Sequence, residues 1–119
     1  MSTAREVAEA FSGHRFADAE PQLAEDVRWI LVGGGLLEGR EAVREACAST
    51  LTELAGATTE FVHFLVVDGG DVVAVDAIGR YTAADGDVSL VSSCDLYEFR
   101  DDLVATITSY TVELDALPW

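Results

Sequence analysis

The stretch FLVVDGGDVVAV, residues 64–75, has the pattern of two apolar strands joined by a tight reversal at its two central glycines. A two-residue glycine turn is typical of a β-hairpin, and it pairs residues whose numbers have a constant sum. We therefore expect Asp68 to lie opposite Asp71, and His63 to lie opposite Asp76.

Two longer reversals extend this hairpin into a four-stranded meander. The first, TAADGD, places Asp76 opposite Asp95 if Arg80 faces Val91. The second, RDD, then brings Ser109 beside Asp95. Because strand side chains alternate between the two faces, a slip of one residue in either turn would break this alignment.

The predicted register collects three ionisable side chains, His63, Asp76 and Asp95, in one row across neighbouring strands. Two carboxylates and an imidazole on a half-buried sheet face are costly to desolvate. Such groups are retained when they have partners or a function, so the row is the candidate catalytic site.

Helical patterns come before the meander. The first helix begins with the capping box Thr3-x-x-Glu6, and Pro21 should split a second helical piece into two short turns. Because the helices precede a run of strands, we predict an α+β fold in which they pack on one face of a curled antiparallel sheet. The predicted elements are helices near 3–11, 16–24 and 40–55, a short strand DVRWILV leading into the glycine loop 33–35, and strands near 59–67, 72–82, 88–99 and 103–114.

Both faces of the predicted sheet are too apolar for either one to be covered by water. One face should contact the helices, and the other a second copy of the chain. The sequence therefore predicts a homodimer formed through the outer sheet face.

The chain of 119 residues carries 22 acidic and 7 basic residues, a net charge of −15. Nucleic acid is an unfavourable partner for such a surface, so we expect no nucleic-acid binding. No apolar stretch is long enough to cross a bilayer, so we expect no membrane association and a cytoplasmic protein. Cys47 and Cys94 are interpreted as free structural thiols, and the signatures of metal, dinucleotide, flavin and phosphate sites are missing, so we expect no cofactor and no metal.

The segments LAEDVRWILVGGGLLEGREAV and SSCDLYEFRDDLVATITSYTVEL, with the helices before them, resemble the nuclear transport factor 2-like superfamily, in particular its SnoaL-like branch. The resemblance covers nearly the whole chain and implies one domain over residues 1–119. It also implies a cone, in which a curved sheet wraps around an internal pocket closed by the helices, and a dimer formed through the outer sheet face.

This superfamily contains isomerases, epoxide hydrolases, polyketide cyclases, dehydratases and non-catalytic members, so the fold alone does not decide function. The resemblance argues against epoxide hydrolysis, because all five residues at that machinery's positions differ here. Those positions hold Trp29, Leu31, Asp76, Ile78 and Ser109. The SnoaL-type cyclases use an acid near the place of Ser109, so their mechanism is not expected either.

Ketosteroid isomerases provide a partial match. Asp95 matches the strand aspartate that donates to an oxyanion in that family. The catalytic base of the family falls at Leu31, however, and its helix tyrosine falls near Phe11. A proton-transfer mechanism in this chain would therefore need a base from another wall of the pocket.

The mechanism predicted from the row uses Asp95 as the proton or hydrogen-bond donor to a substrate oxygen, with the His63 and Asp76 pair as the base. It suits isomerisation, aldol-type cyclisation or dehydration of a small apolar, cyclic carbonyl compound. The predicted substrate-binding residues are Trp29, Leu31, Ile78, Arg80, Ser93, Tyr97, Ile107 and Ser109.

Several alternatives stay open at the level of sequence. The His63 and Asp76 pair could be a structural ion pair, and Arg80 could neutralise both acids. The protein could be a non-catalytic ligand-binding or dimerisation module. His14 is predicted to be a solvated loop residue, and the C-terminal DALPW could fill the pocket or form a dimer arm.

Overall fold

The computed structural model describes residues 2–119, which form three α-helices and a six-stranded sheet. The order confirms an α+β architecture with the helices placed largely before the meander. The elements are α1 (Ala4–Ser12), α2 (Phe16–Ala19), a 3₁₀ turn (Glu20–Gln22), β1 (Leu23–Leu31), β2 (Gly35–Glu38), α3 (Arg40–Leu54), β3 (Thr58–Asp68), β4 (Val72–Thr82), β5 (Val88–Arg100) and β6 (Leu103–Leu114).

Local sequence signals account for the ends of the first helices. The Thr3 hydroxyl accepts from the Glu6 amide, and the Glu6 carboxylate accepts from the Thr3 amide, which is the predicted capping box. Helix α1 ends at Ser12, and at the following Gly13 an added Cβ would approach the Glu9 carbonyl oxygen to 2.9 Å. Pro21 lies in the 3₁₀ turn that follows α2, so the second helical piece is divided as predicted.

The strands form one curved sheet in the order β2-β1-β6-β5-β4-β3. Every neighbouring pair is antiparallel except β1 and β6, which run parallel, so the sheet is mixed. Strand β2 was not predicted from the sequence; it begins at the last glycine of the glycine loop and pairs back onto β1.

The β3–β4 turn differs from the predicted two-residue hairpin. Asp68 pairs with Val73 rather than Asp71, and the Asp68 carboxylate accepts from the Gly70 amide at 3.0 Å. This side-chain bond replaces a tight turn with a longer one and moves the register by two residues, an even number that leaves both strands' faces unchanged. His63 therefore pairs with Ile78.

The β4–β5 turn corrects the predicted row. Thr82 pairs with Val88, and the Gly86 amide donates to the Ala83 carbonyl at 2.9 Å. Gly86 has a φ of 90°, so residues 84–86 form a three-residue loop that ends in a left-handed glycine. The resulting register between β4 and β5 differs from the expected one by one residue. The side chains of β3 and β4 therefore lie on the opposite faces from those expected, relative to β5 and β6.

As a result, Asp76 pairs with Cys94, and Asp95 pairs with Val75. Asp76 and Asp95 lie on opposite faces of the sheet, and the row of three ionisable groups does not form. The last turn behaves as predicted, because Asp101 and Asp102 both have positive φ values and Asp95 lies opposite Ser109.

The core lies between the helices and the concave face of the sheet, which we call the inner face. Fully buried side chains from α1, α3, β4, β5 and β6 meet there, including Val7, Val43, Val75, Tyr97 and Ile107. Among residues 2–119, no helix has the length and apolar character needed to cross a membrane.

Candidate functional site

Asp95, on the inner face of β5, is held by two serine hydroxyls. Ser12 Oγ donates to Asp95 Oδ2 at 2.8 Å, and Ser109 Oγ donates to Oδ1 at 2.6 Å. Ser12 is the last residue of α1, and Ser109 lies on the neighbouring strand β6. The carboxyl group is therefore fixed by a helix end and a strand that are 97 residues apart, since 109 − 12 = 97.

The hydroxyl proton of Ser109 has a defined direction. Trp29 Nε1 can only donate, and it donates to Ser109 Oγ at 2.9 Å. The Ser109 proton then points to Asp95. Trp29 was predicted as a pocket residue. Its indole N–H is linked to the Asp95 carboxyl group through the Ser109 hydroxyl.

A second relay reaches Asp95 through Ser12. The Tyr97 hydroxyl lies 2.6 Å from Ser12 Oγ. Burial, and then the charge of Asp95, raise the pKa of Tyr97 well above its ordinary value, so its hydroxyl stays protonated. Because Ser12 gives its own proton to Asp95, Tyr97 donates to Ser12.

Asp95 lies on the wall of a cavity of about 470 Å³ between the helices and the inner face. This volume is within the range that binds small organic ligands, roughly 300–1,000 Å³. The walls are mainly apolar and aromatic, with polar groups at a few points. The lining residues are Phe11, Ser12, His14, Phe16, Trp29, Leu31, Leu37, Ala46, Thr50, Glu53, Phe61, Gly79, Tyr81, Val91, Ser93, Asp95, Ser109 and Thr111.

His14 is a cavity residue that the sequence analysis placed in solvent. Its backbone has a φ of 64°, a left-handed conformation that turns the chain after α1, and its ring packs 5.5 Å from the Phe61 ring. Desolvation lowers the pKa of His14, while the charge of Asp95 acts in the opposite direction. The available sequence signal was the stop at Gly13, which reverses the chain over the inner face.

Tyr81 is a second cavity residue that was not predicted. Its ring covers Gly79, where an added Cβ would lie 2.8 Å from the ring atoms, so glycine is needed for this close approach. Burial, and then the charge of Asp95, raise the pKa of Tyr81. The centres of the His14 and Tyr81 rings lie 6.0 Å apart, and both residues line the cavity.

The other two members of the predicted row lie on the opposite, outer face. His63 Nε2 is 3.1 Å from Asp76 Oδ2, and their side chains are 35% and 53% exposed. The His63 ring also lies 6.0 Å from the ring of Trp119. The His63 and Asp76 pair is therefore formed as predicted, but it does not reach the cavity.

The predicted substrate-binding residues divide in the same way. Trp29, Leu31, Ser93 and Ser109 line the cavity. Tyr97 and Ile107 are fully buried on the inner side without lining it.

Ile78 and Arg80 lie on the outer face because they belong to β4, the strand whose orientation was predicted incorrectly. Arg80 pairs with Glu60 at 2.6 Å, and it has no ion pair with Asp76 or Asp95. The open alternative in which Arg80 neutralises both acids is therefore not what this structure contains.

Neither cysteine resembles a nucleophile of the cavity. Burial, and then the charge of Glu20, raise the pKa of the Cys47 thiol to about 12. Cys94 lies on the outer face, and both thiols are free. Within residues 2–119, no cluster of three or more His, Cys, Asp or Glu side chains is placed to hold a metal ion.

A curved sheet that wraps around a cavity closed by helices is typical of the nuclear transport factor 2-like class of folds. Solved structures of this class are similar to this chain. A protein of unknown function of this class from Cytophaga hutchinsonii has a TM-score of 0.78 and 28% identity, covering 90% of this chain and 94% of its own. No curated protein sequence matches this chain.

The family model for the SnoaL-like domain matches residues 4–107, so the chain belongs to the SnoaL-like domain family. A structure from Mesorhizobium loti, whose name proposes a SnoaL-like polyketide cyclase, is 19% identical with a TM-score of 0.65 and covers 90% of this chain and 94% of its own. A protein from Catenulispora acidiphila with a ketosteroid isomerase-like fold, solved in complex with trimethylamine, is 18% identical with a TM-score of 0.66, covering 92% and 86%.

Proposed function

We propose that the cavity binds a small, largely apolar carbonyl compound and that Asp95 is the acid/base group acting on it. The observation that carries this proposal is the position of Asp95, half-buried at the wall of an apolar cavity and fixed through both oxygens by serine hydroxyls. A carboxyl group positioned on the wall of a mainly apolar cavity is an arrangement suited to proton transfer next to a carbonyl.

The donor directions support the role of a base for Asp95. Both serines donate to it, and Trp29 and Tyr97 support those serines from behind. A carboxylate accepts from both serines, and the Trp29 and Tyr97 hydrogens keep the serine protons turned toward it, so in this proposal Asp95 is the base that removes a proton from the carbon next to the carbonyl. This reverses the role that the sequence analysis gave to Asp95.

The reaction also needs a hydrogen-bond donor to the carbonyl oxygen, and in this proposal His14 and Tyr81 are those donors. Both line the cavity, the lowered pKa of His14 favours its neutral form, and the raised pKa of Tyr81 keeps its hydroxyl protonated. A neutral imidazole and a phenol can both donate to an oxyanion as it develops. Returning the proton from Asp95 to another carbon gives an isomerase, and attack by the carbanion on a second carbonyl gives a cyclase.

The proposal is tested with trans-2-decalone, a neutral bicyclic ketone that fits the size of the cavity. Proton NMR in D₂O measures how fast deuterium replaces the hydrogens next to the carbonyl. We expect faster exchange with the wild-type protein than with Asp95→Asn, and unchanged exchange with Asp76→Asn, the matched control on the outer face. Equal exchange for the wild type and Asp95→Asn would refute the catalytic role.

A second candidate function is non-catalytic binding in the same cavity. It is supported by the relative from Catenulispora acidiphila, whose structure contains trimethylamine and whose name states no activity. Binding of decalone, followed by the Trp29 indole N–H resonance, without any catalysed exchange would favour this candidate.

We further propose that the chain acts as a homodimer, because the outer face leaves Leu65, Val67, Tyr110 and Val112 about half exposed.

A further inference from the structure

The charged groups on the cavity wall are all acidic. Asp95 and Glu53 both line the cavity, and among residues 2–119 none of the lining side chains is an Arg or a Lys. The seven basic residues of the chain are all arginines, and they lie elsewhere. A ligand inside the cavity therefore meets negative charge without any compensating cation.

The two carboxylates lie at different depths. Asp95 is bonded to Ser109, which is only 5% exposed, so this carboxylate marks the inner end. Glu53 is an exposed residue near the end of α3, and an exposed lining residue lies at the opening. Within the described residues Glu53 has no ion-pair partner, whereas Glu41 on the same helix pairs with Arg44 at 3.1 Å.

His14 does not offset this charge. Desolvation lowers its pKa, so the imidazole is uncharged at neutral pH. The whole chain, with a net charge of −15, adds a field of the same sign. An anionic ligand would be repelled both on approach and in the cavity, while a cation would be attracted at both stages.

We propose that the ligand is an amine-bearing carbonyl compound, cationic at neutral pH, and that Glu53 is a specificity-determining residue that pairs with its ammonium group. The carbonyl lies at the inner end beside Asp95, and the ammonium stays in the opening. This inference rests on the proposed function, because it places the ligand in the same cavity and orients the same carbonyl toward Asp95.

The aromatic walls support a cation as well as an apolar body. Phe11, Phe16, Trp29, Phe61 and Tyr81 all contribute ring surface to the cavity. The face of an aromatic ring attracts an ammonium group and costs an uncharged ligand nothing. The rings therefore add to the preference for a cation without excluding its hydrocarbon part.

The test uses three ketones of similar size at neutral pH. They are tropinone, a cationic bicyclic amino ketone; its neutral analogue, in which a CH replaces the nitrogen; and 4-oxocyclohexanecarboxylate, an anion. Isothermal titration calorimetry measures the affinity of each for the wild-type protein. We expect tropinone to bind about tenfold more tightly than the neutral analogue, and the anion to bind most weakly.

Two variants on one helix then locate the effect. Glu53→Gln removes the carboxylate at the opening, and Glu45→Gln removes an exposed carboxylate of the same helix that does not line the cavity. Glu53→Gln should weaken tropinone binding by about two- to fivefold, the range of an exposed ion pair, and leave the neutral analogue unchanged. Glu45→Gln should change neither affinity.

The outcomes separate this inference from the proposed function. If the neutral analogue binds as tightly as tropinone, the charge preference is overturned and the ketone site remains. If Glu53→Gln and Glu45→Gln behave alike, the role of Glu53 is overturned. If none of the three ketones binds, the proposed function itself fails. Weaker tropinone binding at high salt, with no change for the neutral analogue, would support the charge preference.

Discussion

The two faces of the sheet carry similar acidic groups in very different surroundings. On the outer face, Asp76 has a single polar side-chain partner, His63, and more than half of its side chain is exposed. On the inner face, Asp95 has two serine donors, each with a further donor behind it. The comparison shows that the number and burial of hydrogen-bond partners, rather than the residue types, separate a candidate catalytic group from a surface pair.

The largest expected effect is that of Asp95→Asn on stability. An amide offers one oxygen where two hydroxyls now donate, and its NH₂ group faces one of those hydroxyls. We expect a loss of about 1–3 kcal/mol in the free energy of unfolding, measured with urea. A variant as stable as the wild type would show that the serine contacts do not hold the carboxyl group, and would remove the contrast between the faces.

Tyr97→Phe should have a smaller effect. The change deletes only the hydroxyl that donates to Ser12, a bond in a fully buried position, and should cost about 1 kcal/mol. Tyr110→Phe, on the outer face and half exposed, is the matched control and should stay within about 0.5 kcal/mol of the wild type. Equal effects of the two changes would contradict the proposed relay.

The lowered pKa of His14 predicts a dependence of stability on pH. Because the folded-state pKa lies below the ordinary value of 6.5, the unfolded chain takes up a proton more readily than the folded one. The stability contributed by neutral His14 is therefore present above pH 6.5 and lost as the pH falls through the folded pKa. Measured by urea unfolding, the stability of the wild type should fall more steeply with decreasing pH across this window than that of His14→Gln. Parallel curves would exclude His14 as the cause.

The smallest expected effect is that of Asp76→Asn. Its ion pair with His63 is exposed to solvent and salt, and such pairs contribute between about 0 and 1 kcal/mol. We expect a change below about 0.5 kcal/mol in unfolding by urea. A loss as large as that of Asp95→Asn would mean that the outer face is covered in solution and would support the proposed dimer.

Much of the fold followed from local signals in the sequence. The capping box at Thr3, the break at Pro21 and the four long strands were predicted close to their observed positions. These features depend on neighbouring residues, so a single sequence can reveal them. Strand β2 was missed because it begins at the last residue of a glycine run and its four residues carry no alternating pattern.

The candidate site was only half predicted, and the missing half has one physical cause. Asp95 and Ser109 were placed together because the RDD turn fixes its own register through two residues with positive φ. His63 and Asp76 were assigned to the wrong face because TAADGD can close with an odd or an even number of loop residues. The cavity residues His14 and Tyr81 depend on long-range packing, which sequence spacing does not specify.

The three-residue loop that ends at Gly86 has a consequence for comparing members of this family. A one-codon insertion at this hairpin tip would exchange the inner and outer side chains of β3 and β4 relative to β5 and β6. Two relatives with identical strand residues and loops of different length would then present different chemistry to their ligands. Counting the residues of this loop should therefore precede any transfer of catalytic positions from one relative to another.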